Sequence, residues 1–427
     1  MVPMRWCALL CLLALGAGTG RRPIRYADIP VEARSALGTS AEGFSEFLRS
    51  IEHRTAKRLA EGENDHLIFY LLESGSFTGR PKIEPAESAA EFFDRPGAEI
   101  PRTVTGRIED FIKALRRPGP DERLSYFRKL LSNKEPLFEH LCTEYARAMK
   151  FLYRKEFAAR DAGGSLYQER GHSSDTQVEA NFAVWTALSV LKALEPPARL
   201  SRVLIVGPGL DFAPRTDFLE ALPAQSYQPF AAADALLELG LARPERVEIQ
   251  CLDLNPRVVD WINTFTRRQE RRLALVSRTK DPLFAEYFRN LGRHIGSQAA
   301  LDNLPARYQG KSLAISKSVA DRIKADRLNI LTERYDPSPQ YDLAVVTNVL
   351  VYFNNAELLL ALSNIHSMLR EGGYLIHNEL RVEVEAFGRM LGLAPVQARS
   401  LRLTTEGEKP LFDAFVILRK GPAGPTR

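Results

Sequence analysis

The sequence predicts an α/β protein: a doubly wound parallel sheet closed by a C-terminal antiparallel hairpin and preceded by a helical N-terminal domain. Three observations carry this expectation. Up to about residue 160 the apolar residues recur at helical spacing. From Ser201 onward, short β-branched runs alternate with helical patterns, which is the signature of parallel strands with crossover helices. The chain then ends on two adjacent strand-like segments, QARSLRLTT and DAFVILRK. At 427 residues, 45% hydrophobic and 26% charged, the chain is long enough for two or three globular domains and unlike a disordered, collagen-like or coiled-coil chain.

Taken in order, residues 1–20 place Arg5 before the apolar run Trp6 to Ala17 and then small residues, the layout of a signal-peptide-like leader or anchor. Arg21, Arg22 and Arg25 follow at once and oppose translocation of what comes next. Export or anchoring by the leader is one expectation, a cytoplasmic chain the other. No other stretch approaches a membrane span.

The helical domain covers 39–160. Thr39 to Leu59 carries Phe44, Phe47, Leu48, Ile51 and Leu59 on one face, and His66 to Ser74 reads as a second helix. A loop is expected from Gly75 to Arg102, where Gly, Pro and Ser punctuate the chain. Short helices follow at Ile108 to Arg116 and Glu122 to Leu131, then a longer one at about Pro136 to Ala159. His53, His66 and His140 read as ordinary, partly buried side chains.

Residues 168–420 form the second domain. Thr176 and Glu179 have capping-box spacing before the helix Ala180 to Leu194, and Pro196-Pro197 stops it. RVLIVG (Arg202 to Gly207) is a strand buried on both faces. Helices at Phe230 to Leu241, Pro256 to Arg272, Asn355 to Leu369 and Val384 to Leu391 alternate with strands VEIQCLDL, Asp342 to Thr347 and GGYLIHNE. Together they make a Rossmann-like sheet. Two stretches, about 211–228 and a mixed helical segment at 273–326, are too long for simple connections and read as insertions. The basic run Arg267 to Arg272 at the head of the second reads as a solvated helix face, with contact to phosphates or an acidic substrate as the alternative.

The formal net charge is +5 with both signs interspersed, so nucleic acid is not indicated as a partner. Cys7 and Cys11 lie in the leader, Cys142 and Cys251 are far apart, and no CxxC, HxxxH or HxH spacing occurs, so no metal site is expected.

Chemistry enters at the end of the first strand. Gly207-Pro208-Gly209-Leu210-Asp211 is a tight turn that a ligand can approach without meeting a side chain. The second strand ends in Asp253, placed to accept hydrogen bonds from the hydroxyls of a ribose over that turn. A dinucleotide fingerprint needs a third glycine where this chain has Phe212, and no phosphate-binding G-K-[ST] completes the turn. A ribose without phosphates is favoured, as in S-adenosylmethionine.

On these residues the sequence resembles the class I S-adenosylmethionine-dependent methyltransferases over about 168–420. RVLIVGPGLD is similar to their glycine-rich motif, CLDLNP to their second-strand acidic motif, and YDLAVVTNVLVYF with LREGGYLIHNE to their fourth and fifth strands. The stretch from Thr347 to Ile376 is similar to the chemotaxis-receptor carboxyl methyltransferases. The resemblance implies S-adenosyl-L-methionine as cofactor and an unidentified methyl acceptor, small molecule or protein. It also implies roles: Gly207 and Gly209 lining the amino-acid part, Asp211 near the ammonium or methionine portion, Asp253 on the ribose and Leu254 on the adenine. Asn329 falls where many members hold the adenine amino group, and Asn348 and Val349 face the cofactor beside the acceptor. The chain departs from the pattern in the long spacing between Gly207 and Asp253, in the insertion before Asn329, and in lacking [DN]PPY or a catalytic cysteine pair.

Methyl transfer needs a base only when the acceptor must lose a proton. Candidates are Tyr352, His377 and Glu379 near the strand ends, with His172 in the preceding loop; each has a plain reading as wall, strand, surface or loop residue. Two other functions stay open: a nicotinamide-dependent Rossmann oxidoreductase, and a non-catalytic protein that keeps the methyltransferase fold for binding. The polar segment Gln168 to Glu179 is expected either to form part of the cofactor pocket or to be a linker.

Overall fold

The computed structural model describes residues 20–95, 97, 99–157, 166–211, 222–279, 281–302, 304, 306, 308–336, 338–402 and 412–422. The leader therefore lies outside the described residues, as does most of the expected insertion at 211–228.

The chain begins with β1 (Arg21–Pro23) and the short α1 (Val31–Arg34), followed by the helices α2 (Phe44–Glu73), α3 (Pro85–Asp94), α4 (Arg102–Leu115), α5 (Glu122–Leu130) and α6 (Leu137–Glu156). Two expectations change here. The segments read as separate helices at 39–59 and 66–74 are one 30-residue helix, α2. Its polar middle, Gly62-Glu63-Asn64-Asp65, is buried against the rest of the protein rather than looped out. The stretch expected as loop contains α3, which starts on Pro85, a residue suited to a first helical turn.

The second half runs α7 (Ala180–Leu194), β2 (Arg202–Val206), α8 (Gln228–Glu238), β3 (Glu248–Asp253), α9 (Pro256–Arg267), β4 (Arg272–Ser277), α10 (Pro282–Asn290), β5 (Gly296–Ala300) and β6 (Gln309–Ile315). After these come α11 (Lys317–Ala320), β7 (Ile323–Arg327), β8 (Glu333–Tyr335), β9 (Tyr341–Val346), α12 (Asn355–Met368), β10 (Leu369–His377), α13 (Val382–Met390), β11 (Leu393–Arg402) and β12 (Phe412–Lys420). Seven strands form one sheet in the order β11-β12-β10-β9-β2-β3-β7. The inner strands are parallel, and β12 runs antiparallel to both β10 and β11. This is the expected α/β class, with its Rossmann-like sheet and C-terminal hairpin.

The segment at 273–326, expected as mixed helical, carries strands beside α10 and α11. β4, β6 and β5 make a three-stranded antiparallel sheet, and β7 then returns to the main sheet as its edge beside β3. The burial of β4 and β6 alternates residue by residue, the period of strands with one buried face. The capping box is also not formed. Glu179 is the N-cap residue of α7 without a side-chain cap, because its carboxylate accepts a hydrogen bond from Ser277 Oγ of β4.

Both faces of the main sheet are covered. One core joins Val203, Ile205, Ile249 and Val345 to α7, α8, α9 and the N-terminal helices; the other joins Leu204, Val206, Leu252 and Val346 to α12, α13 and the start of α2. β1 pairs antiparallel with β8, and Arg22 binds Asp336 at 2.7 Å, so the first described residues are fastened to the segment between β7 and β9.

Candidate functional site

Strand order reverses at β2, whose neighbours are β3 on one side and β9 on the other. In open α/β sheets the crevice outside the carboxyl ends of such strands is where ligands bind. The connections leaving β2, β3, β7 and β9 here wall a cleft lined by Gly207, Gly209, Asp253, Leu254, Asn329, Asn348 and Val349. Seven of the eight residues expected to bind a cofactor thus meet in one place.

Gly207 (φ +68°) and Gly209 (φ +72°) take the left-handed conformation that glycine adopts freely. A Cβ at Gly207 would strike the side chain of Val349, another lining residue; one at Gly209 would lie 2.7 Å from the Ser174 carbonyl oxygen and 3.0 Å from Thr176 Cβ. The turn is therefore closed down between the β9 connection and the 174–176 segment. That close approach leaves backbone, not side chain, facing the cleft.

Asp253 ends β3, and its Oδ1 accepts the Asn255 N–H at 2.8 Å. Desolvation raises its carboxyl to about 7, more than the N–H groups of Asn255, Gly209 and Leu254 and the charge of Arg257 lower it. A carboxylate with this much desolvation gains from hydroxyl donors. A ribose supplies them, so the residues present fit the adenosyl part of S-adenosylmethionine.

Three of the candidates, Asp211, His377 and Glu379, lie outside the lining, and Asn329 lines it with its amide oxygen already engaged. Asp211 does not line the cleft: its Oδ2 accepts the Tyr227 hydroxyl at 2.5 Å and its backbone pairs with Gln225. It fastens the two ends of the 212–221 connection rather than facing a ligand. Asn329 does line the cleft, but its Oδ1 accepts the Leu331 N–H at 3.1 Å, in a local turn. That oxygen is partly committed before any adenine amino group arrives. His377 and Glu379 lie outside the lining. Burial pushes His377 down to about 4, against a smaller opposing effect of the Glu379 backbone. Glu379 accepts the Arg381 N–H at 3.0 Å, while Arg381 donates to the carbonyls of Leu350 (2.8 Å) and Phe353 (2.9 Å). This pair supports the wall that carries Tyr352.

Tyr352 and His172 line the cleft with ring centroids 5.4 Å apart. Burial and the neighbouring Arg58 hold His172 down at about 3, and burial raises Tyr352 above its ordinary value. Near neutral pH both are uncharged, an imidazole and a phenol.

Asn348 has φ +58° and exchanges two hydrogen bonds with Asn378, N–H to Oδ1 and Nδ2 to Oδ1, each 2.8 Å. Asparagine tolerates this conformation better than most residues, and the reciprocal amide pair holds it there.

His172 to Thr176 form one wall, which places part of the 168–179 segment in the pocket, one of the two readings the sequence left open for it. The structure also supplies lining residues that the sequence did not mark. Gln228, at the start of α8, donates to Thr347 Oγ1 at 2.7 Å, and both line the cleft. Thr55 and Leu59 of α2 close the remaining side. Nothing local in the sequence of α2 marks these two, because helical periodicity alone reads them as one more face of an amphipathic helix.

A family model described as "CheR methyltransferase, SAM binding domain" matches residues 295–385. The match bears out the resemblance read from the sequence, and S-adenosylmethionine as its cofactor. No curated protein matches the chain. Among solved structures, the N-methyltransferase NodS of Bradyrhizobium japonicum WM9 with S-adenosyl-L-homocysteine is 15% identical, covering 58% of this chain and 89% of its own, at a TM-score of 0.30. Magnesium protoporphyrin IX methyltransferase ChlM of Synechocystis PCC 6803 with bound SAM is 11% identical, covering 63% and 94%, also at 0.30. Scores this low leave the family match as the finding that bears on chemistry.

Proposed function

We propose that this chain is an S-adenosylmethionine-dependent methyltransferase whose domain spans about 168–420 and whose cleft is completed by the helical region 39–160. The observation that carries the reading is the convergence of the Gly207–Gly209 turn, Asp253 and the Thr347–Val349 turn on one cleft at the point where strand order reverses. Bound S-adenosylmethionine supplies a methyl group already activated on a sulfonium. Asp253 holds the ribose, Leu254 with Leu328, Ile330 and Leu331 makes the apolar slot for the base, and Gln228 and Thr347 offer polar groups toward the methionine end.

The acceptor side lies between the 348–353 turn, His172 and α2. His172 titrates too low to be an effective base near neutral pH, and the Tyr352 phenol stays protonated. These residues contribute alignment and exclusion of water, which is where much of the rate of such a transfer originates. An acceptor is therefore taken whose attacking atom needs no proton removed before it attacks.

Isothermal titration of residues 21–427 with S-adenosylmethionine, S-adenosylhomocysteine and NAD tests the reading. Binding of either sulfur nucleoside without NAD is expected. Binding of NAD alone would place the chain among the nicotinamide enzymes, and no binding of any of the three would leave the fold without its cofactor.

A further inference from the structure

We infer that Glu63, on α2 of the N-terminal helical region, positions the ribose-binding Asp253 through Asn255. This rests on the reading of Asp253 given above. Glu63 is buried, and its carboxylate is shared three ways: Oε1 accepts Asn255 Nδ2 at 2.6 Å and Arg257 NH2 at 2.9 Å, and Oε2 accepts the Tyr126 hydroxyl at 2.5 Å. Charge-assisted bonds of this kind are the strong ones, and they are directional.

Asn255 is the residue through which this grip reaches the site. Its side-chain oxygen accepts the Arg257 N–H at 3.0 Å and so caps α9, its amide nitrogen is held by Glu63, and its own N–H donates to Asp253 Oδ1 at 2.8 Å. With both ends of the Asn255 amide fixed, the peptide before it has one orientation, and Asp253 is presented to the cleft at one angle.

The same helix grips the opposite wall. Arg58 donates to the carbonyls of Arg170 (2.8 Å), Tyr167 (2.9 Å) and Tyr352 (2.8 Å), and its own carbonyl accepts the His172 N–H at 2.7 Å. His66 Nε2 lies 3.0 Å from Ser173 Oγ. A side chain at Gly62 would collide with the His172 carbonyl, so α2 and the 171–173 segment pass each other at backbone distance. α2 is thus fixed against one wall of the cleft while Glu63 reaches the other. Glu63 is a positioning residue; it does not line the cleft itself.

The test is S-adenosylhomocysteine affinity, by titration of the full chain from residue 21, alongside thermal stability. Glu63→Ala should weaken binding about fivefold, the scale of one lost hydrogen bond. Glu63→Gln should restore affinity to within about twofold, because its amide oxygen still accepts from Asn255 while its nitrogen turns to the Tyr126 oxygen. Stability should fall in both, since Arg257 loses its counter-ion, so affinity and stability separate. Asn255→Ser, which keeps a helix cap but cannot reach Glu63, should match Glu63→Ala, and the two changes together should cost no more than one. Should Glu63→Ala fail to fold, Asn255→Ser alone decides.

Wild-type affinity in Asn255→Ser, additive losses in the double variant, or no rescue by Glu63→Gln would each overturn the inference. No binding by the wild-type chain, or full affinity in Asp253→Ala, would instead overturn the cofactor reading on which it rests.

Discussion

Asp253 shows how one side chain ties the protein's chemistry to its electrostatics. A charge-assisted hydrogen bond is worth about 1.5 to 3 kcal/mol, so Asp253→Ala should weaken S-adenosylhomocysteine binding about tenfold or more, with circular dichroism unchanged. The pH dependence follows from the raised carboxyl at about 7, against about 3.9 for a free aspartate. Between those values the folded chain holds a proton that the unfolded chain has released, so Asp253 makes the ligand-free protein less stable as pH rises from about 4 to 7. Ribose hydroxyls favour the ionised form, so S-adenosylhomocysteine should bind more tightly, and raise the melting temperature more, at pH 8 than at pH 6. A ligand-induced shift that is flat over this range would remove Asp253 from the ribose. At Gly209 the added side chain would meet Ser174 and Thr176 from behind rather than the ligand from in front. Gly209→Val should still abolish binding, by driving the 174–176 wall away from the turn, and its circular dichroism should keep most of the helix and strand signal. Retained binding would show that the wall can give.

At the scale of elements, the segment before α7 is a wall rather than a plain connection. His172 to Thr176 line the cleft, Ser174 accepts the Leu210 N–H, and Asp175 N–H bonds to Ser173 Oγ at 3.2 Å. Hydrogen exchange with and without S-adenosylhomocysteine should therefore show protection at 172–176 as well as at 207–210 and 253–255. Protection confined to the latter two would leave this segment outside the bound state. The turn after β9 is a second such element. The capping box of Asn354 and Glu357 starts α12, and Arg54 of α2 reaches the same Glu357 at 3.1 Å. Helix start, cleft wall and α2 are thereby tied together.

For the molecule as a whole, the helical region and the sheet share one hydrophobic core and partly buried ion pairs, including Asp65 with Arg170 (3.1 Å) and Glu63 with Arg257 (2.9 Å). Cutting the chain before residue 168 would remove the helices that complete this core and leave its apolar face open to water. A chain of residues 168–427 should therefore be insoluble, or melt far below residues 21–427, and should not bind S-adenosylhomocysteine. A stable truncated chain with full affinity would show that the N-terminal helices are dispensable for the site.

The sequence by itself determined the elements whose pattern is local. The β-branched run before Gly207, the glycine turn, and an acidic residue closing the next strand are each decided within a few residues, and together they gave the sheet and the cofactor class. Asp253, Gly207 and Gly209 could be found this way because strand ends converge wherever parallel strands lie side by side. Tertiary structure decided what depends on distant partners. β4 and β6 alternate as strands do, yet only their pairing with each other separates them from short helices. Asp211 sits at the expected place in the motif, but Tyr227 takes its carboxylate. Glu179 has capping-box spacing, but Ser277 takes its side chain. The polar middle of α2 looks like a break between two helices until Gly62 and Glu63 meet the two walls of the cleft. Hydrogen-bonding groups go to the best partner available in the fold, and that partner can lie nearly two hundred residues away, as Asn255 does from Glu63.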